Sequence, residues 1–358
     1  MILNVAILGA GIGREHLEAY QALPEQFCVS HMCDLDIHRA QHVVGEDSGI
    51  CVLSDMEALM MDAQVDLIDV CLPPHLHAST VVRALEAGKQ VICEKPIGRS
   101  LAEVLSIQNA IERTGCSVFP VFQYRYGLAM DQLAQLRKAD LLGRALVASA
   151  ETHWNRDSDY YSVPWRGTWQ GEAGGAVLGH AIHCHDLICH VLGPVKDVSA
   201  FTDTRVNPIE VEDCAAIALR MQNGALVTSS VTLGAASDST RLRFCFDRLT
   251  AEGGTAAYTP AQEPWTFTAR GKTEQAHIDH ILAAVKQKHP GFTGFFAGVH
   301  RAITTGDNID AVSFSDGARS IEFVTAVYLS SRENRRISLP VSEGQNGFYG
   351  WQPDVTHR

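Results

Sequence analysis

The chain has 358 residues, 46% of them apolar, ten cysteines and a formal charge of −12. That length exceeds one ordinary core, so two domains are expected, with enough apolar residues to fill both without disulfides. The acidic balance excludes nucleic acid and anionic membrane as partners, because phosphate binding needs a basic face; no stretch is apolar for long enough to span a bilayer.

The first apolar run, Met1–Leu8, has no basic residues before it and stops at Gly9. It reads as a buried first strand, not a signal peptide, and the chain as a cytoplasmic protein. Strand-like runs follow at Val29–Cys33, Leu67–Cys71, Val91–Cys93 and Val118–Phe122. Between them, His16–Leu23, Ile37–Val44, His77–Ala87 and Leu101–Thr114 carry apolar residues at helical spacing. Ser54-Asp55-Met56-Glu57 and Ser100-Leu101-Ala102-Glu103 match capping boxes and mark helix starts. Strand alternating with helix predicts an α/β domain over 1–123, built on a parallel sheet. Cys33, Cys71 and Cys93 end apolar runs, where a thiol packs as a small hydrophobe. No C-x-x-C pair occurs, so a zinc ribbon or a dithiol site has no support.

The pattern changes after Arg125. A helix over Leu128–Ala139 precedes two-periodic segments at Ala145–His153, Ala215–Met221, Leu226–Leu233 and Leu242–Phe246. Asn223-Gly224 between two of these is a hairpin signal. An α+β domain on a largely antiparallel sheet is therefore expected over 124–345, with late helices at Gln275–Lys288, Phe296–Thr304 and Asp316–Arg332. Residues 346–358 read as a packed C-terminal tail.

Gly9-Ala10-Gly11-Ile12-Gly13 joins the first strand to the first helix. Glycines there let the backbone approach a pyrophosphate at the helix N-terminus. Asp34 ends the second strand, 21 residues beyond Gly13, where a carboxylate can bind a ribose diol. This order favours a dinucleotide over a plain glycine-rich turn. The charge of Asp34 would repel a 2′-phosphate, so NAD is expected; Arg39 and His38 could soften that, although both also fit a solvated helix face. Leu72-Pro73-Pro74-His75-Leu76-His77 and Glu94-Lys95-Pro96 leave later strands at the sheet's carboxyl edge, where ligands bind in such folds.

With Trp165-Arg166-Gly167-Thr168-Trp169, Gly174-Gly175-Ala176-Val177-Leu178 and His183-Cys184-His185-Asp186, these motifs resemble the Gfo/Idh/MocA oxidoreductase family over nearly the whole chain. The resemblance implies a Rossmann domain plus an α/β domain whose open sheet mediates homodimers or homotetramers. It also implies NAD(P)-linked oxidation or reduction of sugars, cyclitols or related polyols. By position, Lys95 matches the catalytic lysine, His183 the histidine of a D-x-G-x-H-x-x-D element and Asp186 its trailing acid. Gln123, Trp165 and Arg166 match positions that approach cofactor and substrate. The resemblance thus implies cofactor binding by Gly9, Gly11, Ile12, Gly13, Asp34, Leu72, Pro73, His77, Glu94, Lys95, Gln123, Trp165 and Arg166. Two departures stand out: the glycine loop is one residue short between Gly11 and Ile12, and the element's first Asp and its Gly fall on Gly179 and Ala181. His180 is placed to fill the space of the missing acid.

The chemistry agrees with these assignments. An imidazole suits removal of a hydroxyl proton near neutrality, and an ammonium can stabilise the developing alkoxide. Lys95 and His183 are the pair expected in those roles, with Asn155, Arg166 and His180 as further substrate contacts. Aromatic residues from Trp154 to Trp169, mixed with polar ones, suit a carbohydrate, although a packed loop between domains would look similar. Other readings stay open. His180, His183, His185 and His190 could hold a metal in a hydrolase, although no H-E-x-x-H pattern occurs and no metal is expected. His277 and His280 fit an amphipathic helix surface. An NAD-dependent glycosidase working by transient oxidation would share the motifs, and a dinucleotide sensor without chemistry would share the fold.

Overall fold

The computed structural model describes residues 1–46, 48–254, 256–286, 288–309 and 311–353. In chain order the first sheet and its helices are β1 (Leu3–Leu8), α1 (Gly13–Gln21), β2 (Phe27–Cys33), α2 (Ile37–Val44), β3 (Cys51–Leu53), α3 (Met56–Met61), β4 (Leu67–Val70), α4 (His77–Glu86), β5 (Gln90–Cys93), α5 (Leu101–Thr114) and β6 (Val118–Pro120). All these strands pair in parallel, in the order β3-β2-β1-β4-β5-β6. Such a sheet is covered on both faces, so its central strands are largely apolar: Leu67, Ile68 and Val70 of β4 are fully buried, and Asp69 is buried among them. The strand order reverses beside β1, and a ligand crevice is expected at that reversal.

The helix starts refine the sequence reading. Ser100 caps α5 by accepting the Glu103 N–H at 3.1 Å, but Glu103 returns to Arg99 N–H at 2.6 Å and not to its cap. Asp55, not Ser54, caps α3, accepting the Glu57 N–H at 2.9 Å.

The chain continues through α6 (Leu128–Lys138), β7 (Ala145–Asn155), α7 (Trp169–Glu172), α8 (Ala176–Gly179), α9 (Ile182–Leu192), β8 (Val195–Asp203), β9 (Cys214–Met221), β10 (Leu226–Thr232), β11 (Gly234–Phe246), β12 (Leu249–Glu252), β13 (Thr266–Ala269), α10 (Lys272–Ala284), α11 (Gly291–Thr305), α12 (Phe314–Glu333) and β14 (Ile337–Ser338). The eight strands from β7 onward form one sheet, β13-β12-β11-β7-β10-β9-β8-β14. Its pairs are antiparallel except β10 with β7. Asn223-Gly224 makes the hairpin between β9 and β10, with Gly224 at φ +90°. Burial alternates along these strands: Ile217, Leu219 and Met221 face the core, while Ala216, Ala218 and Arg220 face outward.

Contacts divide the chain into Met1–Phe122 with Phe292–Ile321, and Gln123–Gly291 with Glu322–Arg358. The segment 292–321 joins the first unit, because its aromatic face fits that core. Phe296 stacks on Tyr20 at 4.0 Å between centroids and meets Phe27 edge-on at 6.3 Å. In the second unit the tail is anchored by Trp351, whose Nε1–H donates to the Ala173 carbonyl at 2.6 Å and whose ring stacks on Tyr328.

Candidate active site and family

In the first unit, the turn after β1 is built for a close backbone approach. Gly9 has φ +104°, and a Cβ there would lie 2.4 Å from the Cys71 carbonyl oxygen. A Cβ on Gly13 would meet the Ile7 side chain at 2.8 Å, whereas one on Gly11 would meet nothing within 4 Å. Gly9 and Gly13 are thus required by packing, and Gly11 faces open space. Ile12 sits at the N-terminus of α1, whose leading N–H groups suit a phosphate.

Asp34 is held from three sides. It accepts the Ala10 N–H at 2.7 Å, the Asp36 N–H at 2.8 Å, and Arg39 Nη2 at 2.7 and 2.8 Å from its two oxygens. Burial draws the carboxyl upward, but these donors outweigh it and hold it below the usual range. Arg39, which also suited a bare solvated face, is therefore a partner of Asp34; its half-exposed side chain leaves room to swing aside. Carboxylate, glycine turn and helix N-terminus together fit an adenine dinucleotide.

Two later turns carry the remaining first-unit residues. His77 joins them: its Nδ1 lies 2.6 Å from the Pro96 carbonyl and its Nε2 lies 2.6 Å from that of Leu72. Pro73 leads into the short turn at Pro74–Leu76. Glu94 is buried, and its Oε2 accepts the Lys95 N–H at 3.1 Å. Lys95 itself is half-buried, two residues past β5. By contrast, Lys89 spends its ammonium on the carbonyls of Asp62 and Val65 and is structural.

In the second unit, α8 and α9 carry the histidines. Glu212 anchors the start of α8, accepting the Gly175 and Val177 N–H groups at 3.0 and 2.9 Å and the Tyr328 hydroxyl at 2.8 Å. Burial pushes this carboxyl up to about 7 against those donors. His183 stacks on Tyr124 at 4.3 Å. His180 Nε2 lies 3.2 Å from the Tyr160 hydroxyl. His185 points elsewhere, with Nε2 3.0 Å from Ser229 Oγ; burial lowers it to about 3, so it is a neutral core residue. His16, Asp69 and Cys71 form the metal-type cluster found among the described residues, and the histidines of α8 and α9 form none. Asp186 makes a buried two-pronged pair with Arg125, at 2.7 and 2.5 Å.

Trp165 and Arg166 lie at an aromatic cluster. The Arg166 guanidinium sits 4.0 Å over the Tyr160 ring and 4.8 Å over Trp165. Arg156 lies over Trp154, Tyr160 and Tyr258 at 5.0, 5.2 and 5.8 Å and pairs with Asp238 at 3.0 Å. The Asn155 N–H donates to the same carboxylate at 2.6 Å. Gln123 has a buried Oε1 with no hydrogen-bond partner among the described residues. Gly179, in place of the family's acid, has open space about its Cβ position. Tyr124, Arg125, Asp238 and Tyr258 contact His183, Asp186 and Arg156 and were not singled out from the sequence. Tyr258 and Asp238 lie far along the chain with no motif around them; Tyr124 and Arg125 directly follow Gln123, which was the available signal.

The Gfo/Idh/MocA model described as an oxidoreductase family with an NAD-binding Rossmann fold matches residues 3–122, and the family's C-terminal domain matches 130–252. The chain is 25% identical to levoglucosan dehydrogenase of Pseudarthrobacter phenanthrenivorans over 65% of its own length and 68% of that protein. It is 27% identical to D-glucoside 3-dehydrogenase of Escherichia coli over 57% of its own length and 58% of that protein. The fold matches the WlbA dehydrogenase of Bordetella pertussis, solved with NADH and UDP-GlcNAcA, at TM-score 0.82 and 23% identity, covering 96% of this chain and 100% of that one. This chain belongs to the Gfo/Idh/MocA family and is an oxidoreductase with an NAD-binding Rossmann fold.

Proposed function

We propose that the protein is an NAD-dependent dehydrogenase that oxidises a hydroxyl of a sugar, sugar derivative or cyclitol. The observation that carries this reading is the cluster of Trp154, Tyr160, Trp165 and Tyr258 rings interleaved with Arg156, Arg166 and His180. Aromatic faces beside hydrogen-bonding groups suit a ring that is apolar on one side and hydroxylated at its rim. The named activities of the levoglucosan and glucoside relatives support the same class.

NAD supplies the hydride acceptor. Asp34 binds the adenosine ribose, and the α1 N-terminus binds the pyrophosphate. Lys95 holds the reacting hydroxyl and stabilises the alkoxide charge; His183 accepts its proton. Arg166 and His180 orient the ring, and Asn155 adds a rim contact. A screen of sugars, sugar acids, cyclitols and glycosides for NADH formation tests the substrate class; turnover of simple 2-hydroxy acids or aliphatic alcohols alone overturns it.

Asp34→Ala is expected to weaken NAD binding by about tenfold or more, the worth of one or two charge-assisted hydrogen bonds, and NADP binding by less. Titration by quenching of protein fluorescence reads both affinities. NADP binding to the unmodified protein as tightly as NAD contradicts the preference.

No helix among the described residues is long and apolar enough to cross a membrane. The ten unpaired cysteines support a cytoplasmic setting. The outward face of the second sheet shows Val147, Phe201 and Leu226, which supports self-association through that sheet.

A further inference from the structure

One buried polar cluster takes no direct part in the chemistry proposed above. His16 on α1 has no exposed surface, and its ring reaches two carboxylates: Nδ1 lies 2.8 Å from Asp69 Oδ2, and Nε2 lies 3.1 Å from Glu94 Oε1. The Tyr20 hydroxyl donates to the same Asp69 oxygen at 3.0 Å, and Cys71 Sγ lies 3.3 Å from His16 Nδ1. Phe292 and Phe296 close over the ring at 4.7 and 5.2 Å.

A neutral imidazole has one N–H and serves one carboxylate, whereas an imidazolium serves two. Carboxylates at both nitrogens therefore select the charged ring. Burial opposes that charge, but Asp69 and its neighbours outweigh it, and His16 is held well above 6.5. A core-filling residue at this position requires no second carboxylate.

We propose that His16 is a positioning residue for Lys95, acting through Glu94. The link is short. His16 holds one oxygen of Glu94, and the other oxygen accepts the Lys95 N–H at 3.1 Å. On the far side of Lys95, His77 holds the Pro96 carbonyl at 2.6 Å. The lysine thus stands between two anchored neighbours. Because His16 lies in the first turns of α1, the helix that receives the pyrophosphate also fixes the turn that presents the lysine. His16, Asp69 and Cys71 bring ligand-type atoms within 4.8 Å of one another, which invites a metal. The hydrogen-bonding separation of ring and Asp69 and the burial-raised thiol favour a proton-sharing network instead.

The catalytic consequence rests on Lys95 acting in the proposed dehydrogenation; the clamp itself does not. The chain has seven lysines, so isotope-labelled reductive methylation gives few amine signals, with Lys95 assigned by its loss in Lys95→Arg. In folded His16→Gln, the Lys95 signal is expected to shift and its titration midpoint to move by about half a unit or more. The signals of Lys138 and Lys196 stay in place. With NAD and levoglucosan as the probe, kcat falls about tenfold or more while KM changes little, and the effect disappears in the Lys95→Ala background. A Lys95 signal and titration identical to the unmodified protein overturns the proposal, as does a kcat loss that persists undiminished without Lys95. If His16→Gln does not fold, Glu94→Gln cuts the same link from the other end, with the same outcomes. Stoichiometric zinc or iron in the purified protein also overturns it. Should the unmodified protein turn over no carbohydrate, the dehydrogenase reading fails, while the lysine signal still decides the clamp.

Discussion

Replacing Lys95 or His183 with alanine is expected to cut turnover by roughly a hundred- to ten-thousandfold each, with NAD affinity within a fewfold of the unmodified protein. Both residues are assigned to one proton: Lys95 stabilises the oxygen that loses it, and His183 receives it. Groups acting on one event are not additive, so the double variant should be little worse than either single one. A purely structural role makes a different forecast for His183. Its ring stacks on Tyr124 in a buried setting, so its loss would lower the melting temperature while activity per folded molecule survived. Turnover measured beside a melting curve separates the two. A stable, nearly fully active His183→Ala protein removes His183 from the mechanism and passes the role to His180, which lies beside Tyr160.

Gly9→Ala and Gly11→Ala, two residues apart, should behave as opposites. At Gly9 an added methyl lies 2.4 Å from the Cys71 carbonyl oxygen, and φ +104° is disfavoured for any residue with a Cβ. Overlap with backbone has no side chain to yield, so a loss of about 2–4 kcal/mol in stability is expected. NAD binding goes with it, because the same turn cradles the pyrophosphate. At Gly11 the added methyl meets nothing within 4 Å, so the melting temperature should hold. Yet that open space is where a pyrophosphate would approach, and NAD affinity should fall by about tenfold or more. Denaturant melts with and without NAD read both effects; equal melting of the two variants contradicts the assignment of the turn.

The first sheet was legible because parallel strands buried on both faces read as largely apolar runs, as at β4 and β5, where Asp69 is the one charged residue. β3 was missed because its three residues lie at a sheet edge and are only partly buried. In the second sheet, alternation exposed β9 and β10, but β11 begins with small and polar residues, and only its apolar end stood out. Helical periodicity located Phe296–Thr304 within the helix over Gly291–Thr305 without saying which core its face would meet; Tyr20 and Phe27 decide that in three dimensions. At the site, Asp34 followed from its spacing after the glycines. The partners that set its charge did not, nor did the buried pair of Arg125 with Asp186. Motif spacing carries backbone requirements well, and side-chain pairing across distant segments poorly.

The central claim, net oxidation of a carbohydrate by NAD, is tested most directly by stoichiometry. The protein is incubated with excess NAD and a glycoside or anhydrosugar from the screen, and NADH formed is compared with substrate consumed. The account predicts one NADH for each sugar lost, a keto product and no such turnover by Lys95→Ala. Substrate cleaved at its glycosidic bond with no NADH accumulating would contradict it, because the oxidation would then be transient and the protein a glycosidase.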